Sequence, residues 1–286
     1  MGAFRQVSFN QFAVDNGVIE FRADPLQLNF LRLSHVYINW RTVMADVYLK
    51  SKLVKYVLEF IRDQGISART FYGVPEGATK IGLFVQDRWA QSQKDYGKGA
   101  YTLAMGRGRQ KEHGAEKDRS FLGTPEGPTV LVEDVSTTGF SGLRELYNLR
   151  RKGVEVVGMI SLTDRMELTP IINIDNKEKV EEFSSYYETL SGRKYEVPVG
   201  VPQLMADLGV RYYSLTNTFQ LLPFAIKKFA PNMEIRKAVE EEFYRISVKS
   251  RHFMGLKRGT ESNPIAFHKS MATRYSDELN NKKVKS

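Results

Sequence analysis

A short apolar run that ends in two acids constrains the fold of this chain most. Residues 129–132 read Thr-Val-Leu-Val, and Glu133 and Asp134 follow directly. A turn rich in hydroxyls and glycine comes next, and a helical pattern then runs from 141 to 152. Since a short apolar run bounded by turn residues is typical of a buried strand, this stretch predicts a parallel strand, a tight turn and a helix.

Strands and helices alternate on both sides of this stretch. Apolar residues at helical spacing predict helices over 45–64 and 78–91, and apolar runs predict strands over 70–72, 100–105 and 154–162. Alternation of this kind predicts an α/β fold with an open, mainly parallel sheet flanked by helices. In such sheets, ligands bind beyond the carboxyl ends of the strands.

The pattern is weaker after residue 165. It predicts a charged helix over 175–191, a late strand over 210–215 and helical structure from 216 to about 260. The last twenty or so residues are expected to form a loose tail.

Composition narrows the class of protein. The 286 residues are 42% hydrophobic, which suffices for a core and is too high for wholesale disorder. No apolar run approaches the roughly 20 residues of a membrane span, and residues 1–5 lack the apolar stretch of a secretory signal. The absence of cysteine excludes disulfides, thiolate metal sites and cysteine nucleophiles. We therefore expect a cytosolic protein that does not associate with membranes.

The chain carries a formal net charge of +9. Much of the excess lies after residue 226, and the basic stretch 281–286 ends the chain. A basic balance also suits a protein whose small ligands are polyanions. Since no nucleic-acid recognition motif accompanies the charge, nucleic-acid binding is not expected.

The residues after the predicted strand suit a phosphorylated sugar. Carboxylates accept hydrogen bonds from ribose hydroxyls, and the unpartnered N–H groups of a helix start bind phosphate. Two acids beside a buried strand could instead only cap the turn, but burying them is costly unless they are hydrogen-bonded. The candidate residues for a ribose phosphate are Glu133, Asp134, Val135, Ser136, Thr137, Thr138, Gly139, Phe140 and Ser141.

Three further motifs carry chemistry. Residues 73–78 read Gly-Val-Pro-Glu-Gly-Ala, and glycine lets backbone N–H groups approach an anion closely. Residues 107–114 read Arg-Gly-Arg-Gln-Lys-Glu-His-Gly within a charged segment, 106–126, that predicts a long mobile loop. Residues 163–167 read Thr-Asp-Arg-Met-Glu and place a forked donor after a strand. Each could instead be a plain turn or an exposed charged loop.

These motifs resemble the signatures of type I phosphoribosyltransferases, which bind phosphoribosyl pyrophosphate (PRPP), and most of all the orotate phosphoribosyltransferases. The resemblance spans about residues 20–222. It implies a type I phosphoribosyltransferase fold in three segments: a small N-terminal hood (1–44), the phosphoribosyltransferase core (45–222) and a helical, basic C-terminal extension with a loose tail (223–286).

The resemblance also implies roles for single residues. In addition to the ribose-phosphate residues, the pyrophosphate loop would consist of Gly73, Val74, Pro75, Glu76 and Gly77. The mobile loop would bring Arg107, Lys111 and His113 onto PRPP, and these three with Asp134 would be catalytic. Orotate would be bound by Arg165, Thr137 and Arg32.

The implied activity is Mg²⁺-dependent transfer of the phosphoribosyl group from PRPP to orotate, in pyrimidine (UMP) biosynthesis. Mg²⁺ would be bound mainly through PRPP, with no dedicated metal site on the protein. A homodimer is implied, with the mobile loop shared across subunits. Two alternatives stay open: an enzyme of the same fold acting on another purine or pyrimidine base, and a non-catalytic regulator that senses PRPP.

Overall fold

The computed structural model describes residues 2–28, 30, 32–106, 121–171 and 175–247. Its first part is a helix, an antiparallel hairpin and two consecutive helices. These elements are α1 (Gln6–Asp15), β1 (Ile19–Gln27), β2 (Leu33–Ile38), α2 (Arg41–Ala45) and α3 (Val47–Asp63). The Asp46 side chain accepts from the N–H of Leu49 and so begins α3 within the predicted range.

The next part contains one strand of the main sheet and a small separate hairpin. Its elements are β3 (Thr70–Gly73), α4 (Thr79–Gln91), β4 (Met105–Gly106) and β5 (Phe121–Leu122). Within the described residues, β4 pairs with β5 alone, in antiparallel fashion.

The prediction of a strand over 100–105 is therefore wrong for all but its last residue. The carbonyl oxygens of Ala100 and Thr102 accept hydrogen bonds from the Arg69 and Gln86 side chains, so they do not form a strand ladder. Part of the predicted loop is also ordered, because Phe121 of β5 is buried against the Tyr72 ring.

The main sheet is built from four parallel strands in the order β3-β6-β7-β8. The remaining elements, in chain order, are β6 (Thr129–Ser136), α5 (Phe140–Arg150), β7 (Val156–Asp164), α6 (Lys177–Ser191), α7 (Val201–Asp207), β8 (Arg211–Asn217), α8 (Thr218–Phe229) and α9 (Met233–Ile246). The parallel α/β sheet, the helix over 175–191, the late strand and the helical C-terminal region were all predicted from the sequence.

Each face of the sheet carries its own apolar cluster. One cluster joins Val130 and Val132 to α1, the β1–β2 hairpin, α3, α4, α8 and α9. The other joins Leu131 and Met159 to α5, α6 and α7. The N-terminal segment and the C-terminal helices thus share one cluster with the central strands.

The segment boundaries expected from the sequence stay predictions. The boundary after residue 222 falls inside α8, directly before Pro223. No helix within the described residues is long and apolar enough to span a membrane.

Candidate active site

The carboxyl ends of β3, β6 and β7 meet at one edge of the main sheet. Gly73 at the end of β3 lies opposite Val132, and Ser136 at the end of β6 lies opposite Asp164 of β7. The backbone N–H of Arg165 then donates to the Ser136 carbonyl at 2.8 Å. Three of the predicted motifs therefore lie side by side, where parallel sheets bind ligands.

The two acids lie within β6 and not beyond it, because the strand continues to Ser136. Successive side chains of a strand point to opposite faces, so Glu133 and Asp134 lie on different sides of the sheet. Glu133 is 4% exposed and accepts a hydrogen bond from the Ser136 hydroxyl, whereas Asp134 is only half-buried. The contact of Glu133 with a ribose stays a prediction.

Asp134 connects the two predicted phosphate motifs. A side-chain carbon on Gly77 would lie 2.4 Å from Asp134 Oδ2, so a larger residue there would have to displace the carboxylate. Burial raises the pKa of Asp134, and hydrogen bonding by the Val135 N–H and the charge of Arg41 act against that rise. Arg41 was missed by sequence reasoning, since an exposed arginine at a helix start has no distinguishing signal.

Buried acids surround this edge of the sheet. Burial raises the pKa of Glu133 to about 8 and that of Asp164 to about 6. Asp164 accepts the Met166 N–H at 2.7 Å, which holds the turn after β7. The Trp40 ring N–H donates to the Thr163 hydroxyl at 3.0 Å and ties the N-terminal segment to the same edge.

The turn between β6 and α5 contains a buried hydroxyl without a partner. Gly139 has φ +76°, and a side chain there would collide with Leu204 and Val201 of α7. The hydroxyl of Thr138, one residue earlier, is buried and makes no hydrogen bond in the structure. The first N–H groups of α5 lack intrahelical acceptors as well. Buried polar groups are rarely left unsatisfied, so this turn is suited to an anion.

The remaining residues of the predicted ribose-phosphate set border this turn. Thr137 and Ser141 are half-buried, as is Val135, and Phe140 begins α5 with a buried ring. All of them are thus within the described structure and adjacent in space.

The predicted pyrophosphate loop is a compact turn between β3 and α4. A side-chain carbon on Gly73 would lie 2.1 Å from the Ala78 carbonyl oxygen, so the close approach requires glycine. The N–H of Ala78 donates to the Val74 carbonyl, and the peptide bond between Pro75 and Glu76 is cis. Glu76 is exposed.

Three predicted catalytic residues, Arg107, Lys111 and His113, lie outside the described residues. Their segment connects β4 to β5, and the structure describes these two strands. At its base, a side-chain carbon on Gly106 would lie 2.3 Å from the Tyr72 hydroxyl, which itself donates to Glu145 at 2.8 Å.

Arg165, predicted to bind the substrate, is buried among protein groups. Its Nε donates to Glu167, its Nη1 to the Val36 carbonyl, and its Nη2 to the Ser34 hydroxyl and to Glu242. Glu242 lies 77 residues further along the chain, on α9. Sequence reasoning could not anticipate this partner, because nothing near residue 165 signals it.

Arg32 is held in the same way. Its guanidinium makes two hydrogen bonds to Asp175 and one to Glu167, and it also donates to the carbonyls of Leu168 and Thr169. In the described structure both arginines therefore contact protein carboxylates, and their contact with a substrate stays a prediction.

Comparison with known proteins decides the family. No family model matches the chain. The orotate phosphoribosyltransferase of Bradyrhizobium diazoefficiens is 31% identical over 143 residues, which is 48% of this chain and 71% of that protein. The orotate phosphoribosyltransferase of Pyrococcus abyssi is 29% identical over 154 residues, 54% of this chain and 78% of that protein.

This chain belongs to the orotate phosphoribosyltransferase family. It is accordingly a pentosyltransferase. The solved orotate phosphoribosyltransferase of Francisella tularensis has the same fold, with a TM-score of 0.54 and 16% identity over 84% of this chain and 99% of that one. The type I phosphoribosyltransferase fold expected from the motifs is thus confirmed.

A carboxylate at this edge of the sheet could contribute to a magnesium site. Among the residues that the structure describes, no group of three or more acidic or histidine side chains could hold a metal ion. Mg²⁺ commonly binds through one or two carboxylates together with substrate phosphates and waters. Asp134, half-buried beside Gly77, is a carboxylate of that kind.

Proposed function

We propose that the protein transfers the phosphoribosyl group of PRPP to orotate, giving orotidine 5′-monophosphate and pyrophosphate. The observation that carries this proposal is the unpartnered buried hydroxyl of Thr138 at the start of α5. A 5′-phosphate there would satisfy both that hydroxyl and the first N–H groups of the helix. The names of the related proteins support orotate as the acceptor.

PRPP would lie along the carboxyl edge of the sheet. Its 5′-phosphate would bind the turn of residues 136–141, its ribose hydroxyls would bind Asp134, and its pyrophosphate would bind the loop of residues 73–77. The close approach of Asp134 to Gly77 supports this order, because it sets the ribose site and the pyrophosphate loop side by side.

The protein would act mainly through orientation and charge. Displacement of pyrophosphate by a ring nitrogen of orotate builds positive charge on the sugar and negative charge on the leaving group. Cationic side chains that meet the pyrophosphate stabilise that charge and hold the reactants in line. We assign this task to Arg107, Lys111 and His113, and the binding of the orotate ring to Thr137 together with Arg165 and Arg32.

Mg²⁺ would be held by the pyrophosphate and ribose oxygens, with Asp134 as its protein contact. When bound, it would neutralise charge on the pyrophosphate. We further propose that the enzyme serves pyrimidine (UMP) biosynthesis in the cytosol. It would act as a homodimer in which the segment around Lys111 reaches the neighbouring subunit's site.

A turnover assay with a panel of bases tests the proposal. The full chain is incubated with PRPP and Mg²⁺, and pyrophosphate release is measured with orotate, uracil, hypoxanthine or adenine. We expect release that depends on orotate and exceeds that with every other base. Release that depends on a purine would identify a different base, and binding of PRPP without turnover on any base would point to a sensor.

The Lys111→Ala variant tests the cationic segment. Because Lys111 would stabilise charge that develops in the transition state, we expect kcat to fall by roughly 100-fold, with a much smaller change in PRPP binding. Lys98→Ala, in the turn region before the hairpin, is the matched control and should keep its turnover. Equal turnover in both variants would remove Lys111 from the mechanism.

A further inference from the structure

Helix α9 covers the guanidinium of Arg165. Glu242 Oε1 lies 2.9 Å from Arg165 Nη2, and the centroid of the Phe243 ring lies 5.6 Å from the guanidinium carbon. Val239, one turn earlier on the same face, is buried in the apolar cluster with Phe243. The C-terminal part of the chain thus supplies both a carboxylate and an aromatic face to this arginine.

Among the residues that the structure describes, the charged side chains that pair around Arg165 do not balance. Two guanidinium groups meet three carboxylates, and every one of these five side chains is 5% exposed or less. The members are Arg32, Arg165, Glu167, Asp175 and Glu242. Two positive and three negative charges leave an excess of one negative charge in a buried place, where unpaired charge is costly.

Of the three carboxylates, Glu242 accepts the fewest hydrogen bonds from the two arginines. Glu167 accepts from both arginines, and Asp175 accepts two bonds from Arg32. Glu242 accepts one bond from Arg165, and its other oxygen accepts the backbone N–H of His35 at 3.0 Å. Burial raises the pKa of Glu242, so its negative charge is disfavoured in this position.

We propose that Glu242 is a specificity-determining residue that competes with the carboxylate of the incoming base for Nη2 of Arg165. This inference rests on the proposed function, in which Arg165 binds orotate. A substrate carboxylate would bring a fourth negative charge to two arginines, so Glu242 has to leave Arg165 before that carboxylate binds. A base without a carboxylate meets no such competition, so Glu242 selectively weakens the binding of the carboxylated base.

The charge count also predicts which substitution is tolerated. Glu242→Gln leaves two carboxylates facing two arginines, and the amide oxygen still accepts a hydrogen bond. When orotate then binds, the cluster regains the charge that it has in the unliganded protein. The variant should therefore fold, and it should bind orotate better than the parent chain does.

The experiment compares orotate with uracil, the same ring without the carboxylate, in the full chain and in Glu242→Gln. Exchanging a charge-assisted hydrogen bond for a neutral one should lower the KM for orotate about fivefold or more, and the inhibition constant of uracil should stay within about twofold. Glu241→Gln, at the exposed neighbouring position of α9, is the matched control and should change neither value.

Two results would overturn the competition while leaving the proposed function intact. One is an unchanged KM for orotate in Glu242→Gln. The other is an equal change for orotate and uracil, which a merely structural role would give. If Glu242→Gln does not fold, Glu242→Asp keeps the charge but shortens the side chain, and it should still lower the KM for orotate without affecting uracil. An unchanged ratio in that variant would overturn the inference.

Failure of the proposed function gives a different pattern. In that case the parent chain releases no pyrophosphate with orotate. Orotate turnover that arises only in Glu242→Gln would then support the competition at Arg165, and its absence in both proteins would overturn it.

Discussion

At the scale of single residues, Thr138 is the clearest sign of a ligand. Its hydroxyl is buried without a partner, which lowers the stability of a protein unless something else satisfies it. Valine has nearly the same shape and no polar atom. Thr138 therefore favours ligand binding and lowers the stability of the fold. A substitution by valine separates these two effects.

Thr138→Val should weaken PRPP binding and leave the fold intact or more stable. Losing a hydrogen bond to a charged phosphate should raise the KM for PRPP about tenfold, while the melting temperature stays equal or rises. Steady-state kinetics and thermal unfolding measure the two quantities. The control is Thr129→Val at the far end of β6, where the hydroxyl donates to the Gly127 carbonyl. That variant should lose stability and keep its KM, and the opposite pattern would contradict our assignment of Thr138.

The buried carboxyl of Glu133 predicts how stability depends on pH. Its pKa rises from 4.5 to about 8 on folding, so the unfolded chain releases this proton at lower pH than the native protein does. The stabilisation is fully present below about pH 4.5 and is lost as the pH rises towards about 8. Between pH 6 and pH 8, this group alone should lower the free energy of unfolding by about 2 kcal/mol.

Glu133→Gln cannot ionise and should lack that part of the decline. Urea unfolding of the parent chain, Glu133→Gln and the exposed control Glu155→Gln, each at both pH values, measures the difference. A decline of the same size in Glu133→Gln would show that Glu133 is not protonated in the native protein near pH 6.

At the scale of elements, hydrophobic pattern predicted the main sheet well. The apolar runs located β3, β6 and β7, and helical spacing located α3, α4 and the charged helix α6, because burial against a sheet imposes those periods. The sequence did not predict that β6 continues through residues 133–136, most of which are polar. Pairing with β7 extends the strand, since Glu133 and Ser136 both have partners on that neighbouring strand.

The contacts of Arg165 and Arg32 show why the site was only partly predictable from the sequence. The sequence correctly placed the motif of residue 165 beside the phosphate turn, because parallel strands end at one edge. It could not show that Arg165 and Arg32 would contact Glu242 and Asp175, since those contacts join positions more than 70 residues apart. Charge pairing over such distances follows from the tertiary fold alone.

Helix α9 should contribute strongly to stability, because it belongs to the main apolar cluster. Phe243 is 2% exposed and packs edge-on against Phe219 of α8. Phe243→Ala should lower the free energy of unfolding by about 3–5 kcal/mol. Phe229→Ala, at a position 43% exposed, is the control and should cost no more than about 1 kcal/mol. Similar losses in both variants by urea unfolding would show that α9 is not part of the core.

At the scale of the whole molecule, the two ends of the described chain meet. Helix α1 packs against α8, and Lys228 pairs with Asp15 at 2.9 Å. The β1–β2 hairpin packs against α9. The C-terminal helices therefore stabilise the N-terminal segment that borders the site. The same packing places Glu242 of α9 next to Arg165.

The proposed sharing of the Lys111 segment between subunits predicts complementation. Lys111→Ala keeps an intact sugar-phosphate site, and Asp134→Asn keeps an intact cationic segment. Each variant alone should be nearly inactive, whereas refolding an equal mixture should restore about a quarter of the parent activity, since half of the dimers are mixed and each has one complete site. No recovery from a mixture shown to contain mixed dimers would mean that each subunit serves its own site.

A crystal structure of the full chain with PRPP and Mg²⁺ would show where the sugar phosphate binds. We expect the 5′-phosphate within about 3 Å of the Thr138 hydroxyl and of the first N–H groups of α5, with the ribose on Asp134. Bound PRPP at another place, with the Thr138 hydroxyl still unpartnered, would contradict it.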